Sequence, residues 1–181
     1  RGGWVVIVAI ADVASYVRPG STLDKEARKR GNSVYFPDRV VPMLPERISN
    51  DLCSLKENEA RACLAVRMIF DKDGTKLDHR FFRALMRSAA SLSYEQAQSA
   101  IDGRLDEVTG PLLEPVLRPL WGAYASVVLA RTERGPLDLD LPERKILLDD
   151  QGRVRGVASP PRLDAHRLIE EFMIAANVAA A

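Results

Sequence analysis

Only two cysteines, Cys53 and Cys63, and two histidines, His79 and His166, occur in the 181 residues of this chain. That scarcity excludes a disulfide framework, and it leaves neither a CxxC pair nor a His cluster with the spacing of a zinc centre. Both cysteines sit in apolar stretches and are expected as buried thiols of a reducing, cytoplasmic protein. An excess of one charge is missing too: 26 Lys and Arg against 25 Asp and Glu leave a net charge of +1. No global field therefore advertises a nucleic-acid partner, and any such site has to be local. The longest apolar stretch, residues 172–181, falls short of the about 20 residues that a membrane-spanning helix needs, so no membrane partner is expected. No nucleophile elbow, phosphate loop or dinucleotide fingerprint is present, which removes the usual routes to a nucleotide cofactor.

What the chain does contain is an ordinary globular mixture, 46% hydrophobic and 28% charged, long enough to bury a real core. It has no initiating Met, enters a β-branched run at once (residues 4–10) and stops inside an apolar helical pattern at residues 179–181. The expectation is a segment of a longer protein, with the hairpin partner of the first strand lying upstream.

Periodicity and turn chemistry predict an α/β (α+β) architecture, mainly an antiparallel sheet flanked by helices. Ser21 or Thr22 caps a short helix over 23–30 that Gly31 stops. Residues 33–36 are extended, and Pro37, Pro42 and Pro45 predict a loop over 37–50. The alternation over 62–70, the turn Asp71-Lys72-Asp73-Gly74 and the run 76–87 predict a long hairpin. Ser93 with Gln96 opens a helix through Ile101, and a longer one is expected over 111–134. Leu137, Leu139 and Leu141 alternate with Asp138 and Asp140 as in a strand. A second hairpin over 145–148 and 153–157 follows, and then a helix over 163–181 whose apolar far end is expected to be covered by neighbours.

Few residues gather into recognisable chemistry. Asp138 and Asp140 share a strand face about 7 Å apart, but a solvent-facing edge explains them without a metal. The Asp71–Gly74 turn lacks the closing Glu of a calcium loop. Arg28-Lys29-Arg30 followed by Tyr35 and Phe36 combines charge with π faces, as a single-strand binder does, though a charged helix beside core aromatics has the same composition.

Longer motifs go further. Ile10-Ala11-Asp12-Val13, Tyr16-Val17-Arg18-Pro19-Gly20-Ser21, Arg30-Gly31-Asn32-Ser33-Val34-Tyr35 and Pro42-Met43-Leu44-Pro45-Glu46 closely resemble the catalytic (RNB) domain of the ribonuclease II and ribonuclease R family. So do Ile48-Ser49-Asn50-Asp51-Leu52-Cys53-Ser54-Leu55, Leu92-Ser93-Tyr94-Glu95, Glu133-Arg134-Gly135 and the run Ile169 to Asn177, in the same order and over essentially the whole chain. The resemblance implies a partial RNB domain, residues 1–181, of a monomeric, processive 3′-to-5′ exoribonuclease that hydrolyses single-stranded RNA to nucleoside 5′-monophosphates with Mg2+. A non-catalytic RNA-binding relative without the metal carboxylates is the alternative.

Carried onto this sequence, the resemblance makes Tyr35 a clamp aromatic, Tyr94 the residue that sets the length of the end product, and Glu170 a contact to the terminal nucleotide. Packing in the core, packing at a helix start and a solvated helix position are their respective structural alternatives. The family's metal-binding aspartates would precede this segment, and its catalytic arginine and S1-type barrel would follow it. The segment is therefore expected to hold no catalytic or metal site and to be inert by itself. Leu139 stands where a second clamp aromatic is expected, and Ala9 where the family has a histidine before Ile-Ala-Asp.

Overall fold

The computed structural model describes residues 2–133, 135 and 144–181. A three-stranded antiparallel sheet in the order β1-β4-β5 forms the centre: β1 (Gly3–Ala11), β4 (Ala60–Asp71) and β5 (Lys76–Arg87). Between β1 and β4 the chain makes helix α1 (Thr22–Arg30) and a two-stranded hairpin of β2 (Val34–Tyr35) and β3 (Val40–Val41). After the sheet come α2 (Tyr94–Ile101), α3 (Gly110–Leu112), α4 (Arg118–Glu133), the β6–β7 hairpin (Lys145–Leu148 and Val154–Ala158) and α5 (Asp164–Ala180). The mixed antiparallel architecture is as the sequence predicts.

Alternation along the strands decides which face is covered. Val6, Val66, Met68 and Phe70 point to one side and are buried together with Ala123 and Val127 of α4 and Leu168 and Phe172 of α5. Across the opposite face Val5 and Ile7 stay 57% exposed. Met68, with no exposed surface, lies at the centre of this core. The Asp71–Gly74 turn fits closely against α4. Gly74 has φ +83°, and a Cβ there would lie 2.0 Å from the Ser126 carbonyl oxygen, so only glycine fits. Asp71 Oδ1 accepts the Asp73 and Thr75 N–H groups at 3.0 and 2.8 Å, which makes this carboxylate the lock of a turn.

Several expectations need correction. β1 pairs along one edge with β4, with Trp4 opposite Phe70 and Ile10 opposite Leu64, a pairing that the sequence patterns did not indicate. The long separation hid this pairing, because a strand pattern alone does not say which strand it joins. Residues 37–50 are not simply a loop: they contain β3 and the start of a wide helical turn, Arg47–Leu52, which forms because no proline follows Pro45 to block it. The long helix begins at Gly110 and widens at Leu113–Leu117, where Pro115 has no N–H for the regular ladder. On α5, Phe172 and Ala179 are buried as expected, while Met173 and Val178 remain 55% and 62% exposed within this chain. Cys63 is buried as expected, but Cys53 is only half-buried; burial and the Asp12 charge push its thiol pKa up, away from reactivity. Asp138, Leu139 and Asp140 lie outside the described residues. No helix of the described residues is long and apolar enough to cross a membrane.

Candidate nucleic-acid interface

The first aromatic stands on an arm. Ser21 Oγ accepts the Asp24 N–H at the start of α1, and Gly31 at φ +79° ends it, so the chain turns directly into the β2–β3 hairpin. Arg28, Lys29 and Arg30 fill the last turn of α1, where cations meet the negative end of the helix dipole. Arg30 donates to the Pro42 carbonyl at 3.1 Å, and Ser33 Oγ accepts the Met43 N–H at 2.9 Å, tying helix and hairpin together. On that hairpin Tyr35 is 76% exposed, so it is not a core residue of this chain. Phe36 beside it carries the Arg39 guanidinium 5.2 Å from its ring centre. Charge and bare aromatic faces thus share one surface, the combination that holds a phosphate backbone and stacks a base.

The second aromatic stands at a corner between helices. Ser93 Oγ accepts the Gln96 N–H at 3.1 Å and caps α2, making Tyr94 its first residue. The Tyr94 ring lies on the His166 ring with centroids 4.1 Å apart and planes at 24°. Gln98 Oε1 accepts the Ala165 N–H at 3.1 Å, so α2 also satisfies a donor at the N-terminus of α5. Tyr94 lines an apolar cavity of about 560 Å³ together with Met86, Leu117, Trp121, Leu168 and Ile169.

Glu170 follows His166 by four residues, one turn along α5. It pairs with Arg162 and keeps 45% of its side chain exposed. Its neighbour Glu171 is buried and paired with Arg131 of α4. Both carboxylates line a polar cavity of about 140 Å³ with Arg131, Arg162, Arg167 and Tyr124. Each of the two carboxylates has its own guanidinium, and the third, Arg167, pairs with Asp164.

The structure sets Tyr94 against His166 and places Glu170 one turn further along α5, each lining its own cavity, and sets Tyr35 on the arm, where it lines neither. Reasoning from sequence missed His166, Gln98 and Arg162, whose partners come from other elements. Among the described residues no group of three or more His, Cys, Asp or Glu side chains is placed to hold a metal ion. Asp12, although 6% exposed, is engaged by Ser15 Oγ at 2.8 Å and Arg83 at 3.1 Å.

The RNB domain model matches residues 1–181. The chain is 43% identical over 182 aligned residues to ribonuclease R of Escherichia coli, an alignment covering 99% of this chain and 22% of that protein. It thus spans about a fifth of that relative's length. Its backbone superposes with a TM-score of 0.90 on ribonuclease R of Mycoplasma genitalium solved with ribose-methylated single-stranded RNA, at 31% identity, covering 96% of this chain and 27% of that one. Yeast Ssd1, described as a pseudonuclease, shares the fold with a TM-score of 0.67 at 21% identity, over 95% of this chain and 20% of that one. The same fold thus appears in a nuclease and in a pseudonuclease, so the backbone alone does not decide activity.

Proposed function

The chain belongs to the RNB domain family, and from that premise we propose that it is the RNA-gripping part of a processive 3′-to-5′ exoribonuclease. Single-stranded RNA is the substrate and nucleoside 5′-monophosphates are the product. Tyr35 stacks on a base of the tail, Tyr94 sets the length at which shortening stops, and Glu170 contacts the terminal nucleotide. The observation that supports this reading most is the match over the full chain to a fold that also occurs in an RNA complex of ribonuclease R. Exposure of Tyr35 on a hairpin tied to the basic end of α1 through Arg30 supports it independently, since the ring has no packing role in this chain.

Hydrolysis in this reading uses Mg2+, which polarises the phosphate and activates water. In this reading the metal ligands are carboxylates supplied elsewhere in the parent protein, and the segment by itself is inert. The parent protein is placed in the cytoplasm as a monomer. Incubating the full-length protein with Mg2+ and 5′-labelled RNA bearing a single-stranded 3′ tail is expected to release mononucleotides and leave a short labelled product. RNA that is bound but stays intact selects the non-catalytic binder, and RNA neither bound nor cut overturns both.

A further inference from the structure

His166 makes two contacts with one ring. Its Nδ1 accepts the Leu163 backbone N–H at 3.2 Å, satisfying a donor at the start of α5. Since Nδ1 accepts, the neutral imidazole carries its proton on Nε2. Tyr94 lies against the same ring, with centroids 4.1 Å apart. An aromatic side chain at an exposed helix start exchanges among staggered rotamers unless something holds it. Here the Gln98–Ala165 bond fixes the spacing of the two helices and the imidazole fixes the angle of the tyrosine. Tyr94 nevertheless remains 43% exposed, so one side of its ring is backed by His166 while surface remains for a ligand to meet.

We infer that His166 is a positioning residue: through the stacked ring pair it holds Tyr94 at the angle that decides where shortening of the RNA tail ends. This rests on the reading of Tyr94 given above and adds the group through which that tyrosine acts. In this reading His166 acts through Tyr94 and not on the RNA itself.

The test compares end-product lengths on a sequencing gel for the full-length protein acting on 5′-labelled RNA. His166→Asn keeps an oxygen that can accept the Leu163 N–H and removes the ring; His166→Phe keeps the ring and removes the acceptor. His166→Asn and His166→Ala are expected to give a longer end product, shifted toward that of Tyr94→Ala, and His166→Phe to restore the original length. A purely structural role would lower the melting temperature and the total turnover without moving that length. If Tyr94→Ala lengthens the product while His166→Asn and His166→Ala do not, the inference is overturned and the reading of Tyr94 stands. If Tyr94→Ala leaves the length unchanged, the reading itself falls and takes the inference with it. A His166→Phe product as long as that of His166→Ala also overturns it, because the acceptor rather than the ring would then matter.

Discussion

Two tyrosines are presented to solvent in this molecule by opposite means. Tyr35 rides on a hairpin of two-residue strands, held to α1 by the Arg30 and Ser33 bonds, and has most of its surface bare. Tyr94 is backed by a second ring and sits where α2, α5 and the end of β5 enclose a cavity. Within this chain the arm buries little of its ring, whereas at the corner the ring also packs against His166.

That contrast is broken most forcefully from the core. Met68→Ala removes a side chain with no exposed surface from between β1, α4 and α5, and a cost of about 2–5 kcal/mol is expected in denaturant unfolding. Tyr35→Ala, by comparison, is expected to change stability by less than about 0.5 kcal/mol, as surface positions do. A Tyr35→Ala cost comparable with that of Met68→Ala would show that the arm packs against the rest of the protein.

The next effect is on binding. Loss of one base-stacking ring costs about 1–3 kcal/mol, so Tyr35→Ala should weaken binding of a single-stranded 3′ tail by about 5- to 150-fold in an equilibrium titration. Unchanged affinity would remove Tyr35 from the interface. A smaller effect separates charge from stacking. Arg28→Ala together with Lys29→Ala is expected to flatten the dependence of log affinity on log salt by about 1.4, two phosphate contacts at about 0.7 each. Tyr35→Ala should leave that slope unaltered, and an unaltered slope in the double variant would place the basic helix end outside the RNA path.

Much of the fold was legible because its signals are local. Ser21 and Gly31 bracket α1, Ser93 opens α2, and the Asp71–Gly74 turn joins the long β4–β5 hairpin. What escaped depends on partners far along the chain. β1 reaches β4 across α1 and the small hairpin, and the Gln98 contact to α5 spans 67 residues. Prolines were over-read at 37–50, where β3 and the Arg47–Leu52 turn form despite Pro37, Pro42 and Pro45, whereas Pro115 widens the helix expected over 111–134 without ending it. Tyr94 and Glu170 were legible only through family resemblance, whereas Tyr35 also stood out beside the basic run Arg28-Lys29-Arg30. Only the structure shows that Tyr35 is bare, that Tyr94 is stacked and that Glu170 is paired. His166 was passed over because a lone histidine suggests a metal ligand or nothing, whereas its work here is to support another ring.

The most direct measurement of the central claim, that this chain holds the side chains limiting an RNA tail, is the end-product length of full-length Tyr94→Ala on 5′-labelled RNA with Mg2+. A longer final product with continued release of mononucleotides is the expected result. A final product of unchanged length would contradict the account.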